Sequence, residues 1–373
     1  MDSKRLSILI VTAWYPTKKN PTLGLFIKEQ AVVLAREHDV TLLAVLRTSR
    51  WKRAVYHEGN LSVIVVESPL IAMTTKGKLR KWATIATREV AILEEQEPIQ
   101  VIHLHDVHPI IASDDIRRVS SAALVATVHN SDVARGSLSH YYADRLKSGL
   151  LHCQATIAVG VELQRVMVEK YASACTQVIP NVVDTERFVL SDQRHRNGTV
   201  EILLTASLTK VKRVAPVIVA MTMVSNDGVR LHIAGDGPLK QELTELIVQL
   251  GLEDRVRLHG VVGRSDLAMI AGRCTLSVSN SEVETFGIAA MEGLSAGLPL
   301  VYSRSGLELL VPDYAGIATD GSSEQIAAAI DRIINDYQDY DRDRIRQHVV
   351  QRYSPDVILG QLTALYLQQI NSH

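Results

Sequence analysis

Short apolar runs alternate with longer amphipathic stretches along almost the whole chain. In the first half, residues 7–13, 40–45, 61–67, 100–105, 123–129 and 155–159 predict strands, and residues 25–37 and 79–95 predict helices. Runs such as Ile8-Leu9-Ile10-Val11 have no polar face, as expected of a parallel sheet covered by helices on both sides. The pattern restarts with strands at 200–206, 229–234, 255–259, 275–279 and 298–303. Between the two series, residues 184–198 are polar and aperiodic, and include Asp192-Gln193-Arg194-His195-Arg196-Asn197-Gly198. The expected organisation is α/β: two doubly wound domains, 1–184 and 200–353, joined by a linker at 185–199. Ligands of open α/β sheets sit at the carboxyl ends of the strands, so two such halves imply a cleft. A last helix, 355–370, carries Ile358, Leu362, Leu365 and Tyr366 at helical spacing.

Composition narrows the function classes. The hydrophobic share of 46% and charged share of 22% suit a folded soluble protein. A formal charge of −1 argues against nucleic acid as the main partner. Cys153, Cys175 and Cys274 form no CxxC pair, so neither a disulfide framework nor a zinc knuckle is expected. Lys4 and Arg5 precede the apolar run 6–11, but it is short and ends at Trp14-Tyr15-Pro16-Thr17-Lys18. It reads as a first strand and not as a leader. Apolar runs stay short of the ~18 residues of a membrane span. The expected location is the cytoplasm.

Residues 280–299 are the segment richest in chemistry. A buried strand feeds Asn280-Ser281-Glu282-Val283-Glu284-Thr285, and a helix over 286–296 is then stopped by Gly297 and Pro299. The first N–H groups of such a helix are unpaired and the dipole there favours an anion, which a diphosphate would supply. Glu284 stands just before the helix and Glu292 about two turns into it. Their carboxylates can accept hydrogen bonds from the vicinal hydroxyls of a ribose or a hexose. The alternative, two solvated glutamates on a surface helix, leaves the Phe-Gly turn and the Gly-Leu-Pro stop unexplained.

This segment resembles the E-x7-E signature of family-4 retaining glycosyltransferases, whose GT-B fold has two facing Rossmann-like domains. Trp14-Tyr15-Pro16, Pro21-Thr22-Leu23-Gly24-Leu25-Phe26 and Gln30 resemble that family's first strand, glycine loop and first helix. Val125-Ala126-Thr127-Val128-His129-Asn130-Ser131-Asp132 resembles its T-x-H-G-x-D turn. Ile179-Pro180-Asn181-Val182-Val183-Asp184 with Phe188 resembles P-N-G-V-D…F, and Ala234-Gly235-Asp236-Gly237-Pro238 its G-x-G-P loop. The resemblance covers nearly the whole chain. Departures are Ser207 and Arg213 in Ser207-Leu208-Thr209-Lys210-Val211-Lys212-Arg213, where the family has arginine and glycine, and Asn130 and Val182 at glycine positions.

The resemblance implies a nucleotide-sugar donor, a hydroxyl acceptor and transfer with retention. The acceptor would be a glycan or a lipid-linked or cell-surface glycan precursor. Glu284 would hold the sugar hydroxyls and Glu292 the ribose. The amides of Phe286, Gly287 and Ile288 would meet phosphate and sugar, and Val261, after His259-Gly260, the base. Ser207 and Thr285 complete the donor-binding set. Lys212 would neutralise charge on the leaving diphosphate, with Glu284 and His129 as the other catalytic candidates. Gly24 would let the backbone approach the donor phosphate. The helix over 354–373 would brace the first domain. Rival readings are a nucleotide-sugar epimerase and a silent scaffold, the latter favoured only by Ser207.

Two other patterns invite a function. His103, His105 and His108 around Asp106 have metal-like spacing, but the family has a similar His-rich strand end without metal. No D-x-D motif follows a strand, and Asp341-Arg342-Asp343 reads as a solvated helix face. The expectation is therefore no metal and no cofactor besides the donor. Arg47, Arg50, Lys52 and Arg53 around Trp51, and Lys76, Lys78, Arg80 and Lys81 before Trp82, suit an anionic membrane surface at the inner face. A solvated loop and helix face explain both stretches equally.

Overall fold

The computed structural model describes residues 5–69, 74–171, 176–191 and 199–371. The chain divides into two compact units, one comprising Met1–Val182 with Pro355–His373, the other Val183–Ser354. Cys175 and residues 192–198 of the expected linker lie outside the described residues.

The first unit is built on strands Ser7–Thr12 (β1), Asp39–Thr48 (β2), Lys52–Glu58 (β3), Leu61–Pro69 (β4), Val101–His105 (β5), Ala123–Val128 (β6), Ala155–Ala158 (β7) and Thr176–Val178 (β8). Their order is β3-β4-β2-β1-β5-β6-β7-β8, parallel throughout except for the antiparallel β3–β4 pair. Ile8, Leu9, Ile10 and Val11 point alternately to the two faces, and all are at most 2% exposed, so both faces are covered. The last helix, Pro355–Asn371, belongs to this unit, and Ile358, Leu362, Leu365 and Tyr366 enter its core. Residues near this helix's middle and end also tie it by hydrogen bonds: Thr363 Oγ1 to His38 Nε2 (2.7 Å) and the Tyr366 hydroxyl to His103 Nδ1 (2.7 Å).

The second unit has strands Val200–Thr205 (β9), Val229–Ala234 (β10), Val256–Gly260 (β11), Leu276–Ser279 (β12), Leu300–Ser303 (β13) and Gly316–Thr319 (β14). All six are parallel, in the order β11-β10-β9-β12-β13-β14. Thr185 and Phe188, placed in the expected linker, are instead buried in this unit. Arg346 of helix Arg342–Tyr353 holds them, donating to the carbonyls of Thr185 (2.8 Å), Phe188 (2.6 Å) and Ser295 (2.8 Å). Here the backbone of a polar stretch and a half-buried cation satisfy one another.

Three strands escape the apolar pattern: β3, β8 and β14. All are sheet edges, where one side lacks a partner strand and apolar selection is weak. β3 is the clearest case. Its basic residues read as a loop, yet it pairs along its whole length with β4, and Arg53 donates to the buried Glu89 carboxylate at 2.9 Å. The Trp82 stretch also needs correction. Trp82 is 2% exposed, and its indole N–H donates to the Val45 carbonyl at 2.9 Å. It anchors helix Thr75–Gln96 to the sheet and is no surface residue. Among the described residues no helix is long and apolar enough to cross a membrane.

Candidate active site

In the second unit the expected donor residues gather at the carboxyl edge of the sheet, on the segments that leave β9, β11 and β12. Loop 234–238 seats the segment after β9. A Cβ on Gly235 would lie 1.8 Å from the Ala206 carbonyl oxygen, and one on Gly237 2.5 Å from that of Leu208. Only glycine permits this approach. Ser207, between those carbonyls, is exposed. The chain then makes a tight turn over Lys210–Lys212 and passes through Arg213 in the left-handed region, φ 45°. A side chain there costs on the order of 1 kcal/mol or more. It is held by Asn280, whose Nδ2 donates to the Arg213 carbonyl (3.1 Å), and by the Arg213 guanidinium, which donates to the Gly321 carbonyl (3.0 Å).

This scaffold brings Lys212 to Glu284. The ammonium lies 2.6 Å from Glu284 Oε1, and Ser281 Oγ donates to the same oxygen at 2.6 Å. The Glu284 backbone is fixed in turn by donation of its N–H to the Ser305 carbonyl at 2.8 Å. Both side chains are partly shielded, at 26% and 14% exposure. No described residue bonds the other Glu284 oxygen.

The following helix runs Ile288–Ser295, two residues later than the expected start. Gly287 delays it with a φ of 79°, and a Cβ there would lie 2.5 Å from Leu307 Cδ2. Phe286 is turned inward, edge-on to Tyr353 at 5.1 Å. The first helical closure is Met291 N–H to the Gly287 carbonyl, so the amides of Ile288, Ala289 and Ala290 have no partner within the helix. Thr285 is partly exposed beside them.

Glu292 is buried. It is 3% exposed and ion-paired to Arg264 Nη1 at 2.5 Å. The Arg264 guanidinium also lies over the Phe188 ring, 5.0 Å from its centroid. Arg264 is the partner that sequence reasoning missed: no motif marks it, and only its position just after β11 and Gly263 could have drawn notice. Val261, three positions earlier, is 45% exposed.

In the first unit, Gly24 has a φ of 67° and begins helix Leu25–Leu34. A Cβ there would lie 2.4 Å from the Trp14 carbonyl oxygen, so local packing alone requires glycine. His129, just past β6, is 7% exposed. Its Nε2 is 3.0 Å from His105 Nδ1, and its ring stacks on His105 and tilts against Phe26. Burial first, then the neighbouring rings, push His103 and His129 well below the usual imidazole range, and burial takes His105 to about 3. All three are therefore neutral near pH 7. Asp106, also buried, rises to about 6 through desolvation, which outweighs the amides it accepts from.

Strand alternation does put His103 and His105 side by side, their rings 4.1 Å apart. Both nitrogens of His103 are engaged, by the Tyr366 and Thr127 hydroxyls. His108 turns away to Trp82 and Tyr142. Among the described residues no group of three or more His, Cys, Asp or Glu side chains is placed to hold a metal ion.

Residues 24–187 match the family model Glycosyltransferase Family 4, and residues 188–349 match Glycosyl transferases group 1. The chain belongs to the family 4 type of group 1 glycosyltransferases. An uncharacterized glycosyltransferase of Methanocaldococcus jannaschii is 25% identical to it over 295 residues, which is 71% of this chain and 74% of that protein. Sucrose-phosphate synthase from Thermosynechococcus elongatus superposes with a TM-score of 0.84 at 17% identity, covering 99% of this chain and 100% of that one. Anabaena HepE, solved with UDP-glucose, superposes with a TM-score of 0.73 at 18% identity, covering 98% and 100%. At such identity the two structures establish the fold of this glycosyltransferase, which is GT-B.

Proposed function

We propose that this glycosyltransferase moves a sugar, with retention of anomeric configuration, from a nucleoside-diphosphate sugar to an acceptor hydroxyl, without a metal ion. The observation that carries the reading is the Lys212–Glu284 pair at 2.6 Å, set just before a helix whose first amides lack intrahelical partners. An ammonium and helix amides supply positive potential where a diphosphate departs, so no cation is required. The binding of UDP-glucose by HepE supports a donor of that class.

In this reading Glu284 offers its remaining oxygen to the sugar hydroxyls. Lys212 stabilises the leaving diphosphate more as charge builds than before, which lowers the barrier. The amides of Phe286, Gly287 and Ile288 meet phosphate and sugar, with Ser207 and Thr285 lining the donor. Glu292, oriented by Arg264, accepts from the ribose, and Val261 lies beside the base. His129, neutral, donates to the transferred sugar or a phosphate, and Gly24 lets the backbone near the donor phosphate. The acceptor hydroxyl attacks on the face the diphosphate leaves, and its proton passes to that phosphate. A lipid-linked or cell-surface glycan precursor is the proposed acceptor class, with the exposed Arg50-Trp51-Lys52 turn toward an anionic membrane.

The test is incubation with UDP-glucose and other nucleotide sugars, with and without extracted lipids, followed by mass spectrometry and by NMR of the product anomer. A glycosylated acceptor of unchanged anomeric configuration, formed in EDTA, is expected. Inversion would refute the retaining mechanism. Loss of activity in EDTA, restored by magnesium or manganese, would refute metal independence.

A further inference from the structure

The first unit carries a groove of about 780 Å³ between helix Thr75–Gln96 and the helices Ser113–Arg117 and His140–Leu150. Its floor is apolar, and includes Leu79 and Ala83. Its walls carry Lys76, Arg80, Arg88 and Arg145, none with an ion-pair partner among the described residues. The lining holds a single carboxylate, Asp115, and Arg118 already lies 3.5 Å from it. Thr87, in the same wall, has a buried hydroxyl with no hydrogen-bond partner.

Four cations without ion-pair partners around one concavity repel one another, at a cost that salt reduces. Exposed cations are normally dispersed among carboxylates, and this protein has 40 Lys and Arg against 41 Asp and Glu with which to do so. The three helices come from separate crossovers of the sheet, so a local run of basic sequence does not explain the convergence. Arg88 and Arg145 lie outside the Lys76–Lys81 stretch that the sequence singles out. The guanidinium groups can present paired donors, a geometry that suits phosphate oxygens.

We infer that this groove binds a phosphate-bearing anion, at a site separate from the donor residues of the second unit. The chemistry is shared by a free phosphorylated solute and a lipid phosphate headgroup. This inference does not rest on the assignment of the donor site.

Calorimetric titration of the full chain with inorganic pyrophosphate tests it, alongside cosedimentation with phosphatidylglycerol vesicles and with phosphatidylcholine vesicles. The Arg88→Gln/Arg145→Gln variant should bind pyrophosphate at this site about tenfold or more weakly, since two charged hydrogen-bond donors are lost. Lys212→Ala should retain the site, which separates it from any diphosphate bound in the second unit. A control that removes two cations of the second unit, Arg230→Gln/Arg332→Gln, should bind as the parent does. Sensitivity of pyrophosphate binding to the groove variant identifies a free solute. Sensitivity confined to the phosphatidylglycerol arm identifies a headgroup. Equal binding by parent and groove variant in both arms overturns the inference, as does a loss matched by the control or seen only in Lys212→Ala.

Discussion

The ammonium of Lys212 and the carboxylate of Glu284, 72 positions apart in the chain, lie 2.6 Å from each other. The contact depends on backbone held from three directions: the Arg213 turn, the Glu282 N–H donated to the Val211 carbonyl, and the Glu284 N–H donated to the Ser305 carbonyl. A partly shielded ion pair of this kind is pre-oriented, so little reorganisation is needed when charge develops on a ligand beside it.

Removal of the ammonium should therefore affect turnover more than binding. Lys212→Ala is expected to lower kcat roughly a hundredfold or more, the size of loss seen when one stabilising donor is removed. Lys210, exposed on the same turn, should tolerate alanine with little change. Steady-state kinetics of both variants decide the matter, and equal losses would show that the register of Lys212 is misassigned.

The Arg264–Glu292 pair leads to a second expectation. Glu292→Gln should weaken UDP binding by about tenfold or more, as loss of a charged hydrogen bond does. It should also abolish the preference for UDP over its 2′-deoxy form. Arg264→Lys keeps the charge but loses the planar fork, and should reduce that preference while binding 2′-deoxy-UDP as the parent does. Unchanged UDP affinity in Glu292→Gln would remove the ribose assignment.

The buried imidazoles make the fold acid-sensitive. His103, His105 and His129 stay neutral well below their usual range, whereas in the unfolded chain each takes up a proton near pH 6.5. Below that value the unfolded state binds more protons, and stability falls by about 1.4 kcal/mol per pH unit for each such group. Asp106 acts in the opposite sense. Its carboxyl is raised to about 6, so the folded state binds the extra proton and the cost of burying its charge relaxes as pH drops. Three groups outweigh one. The thermal midpoint should fall from pH 7 to pH 5, with a shallower slope in His105→Gln; a flat profile in the parent would contradict the burial of these rings.

The two tryptophans flanked by basic residues should behave differently. Trp82→Ala should cost about 3–5 kcal/mol, as for other buried aromatics, with a further loss from the unpaired Val45 carbonyl. Trp51 is 55% exposed at the start of β3, and its alanine variant should stay within about 0.5 kcal/mol of the parent. Chemical denaturation of both measures the contrast, and a similar cost for each would contradict the packing of helix Thr75–Gln96.

The sequence alone determined the α/β class, the doubly wound halves and the family, because continuous apolar runs and the 280–299 segment are local patterns. It also singled out Glu284, Glu292 and Lys212, whose spacing is visible along the chain. Tertiary structure decided whom those residues meet. The pairing of Glu292 with Arg264 joins the chain after β11 to the helix after β12, and nothing local signals it. The burial of Trp82 came from the side of its helix that meets the sheet, whereas its basic neighbours suggested a surface. The edge strand β3 emerged only through its pairing with β4, since an edge can form from residues with little apolar preference. Local periodicity reports which side of an element is apolar. The choice of partner belongs to the arrangement of strands, where residues far apart in sequence arrive at one carboxyl edge.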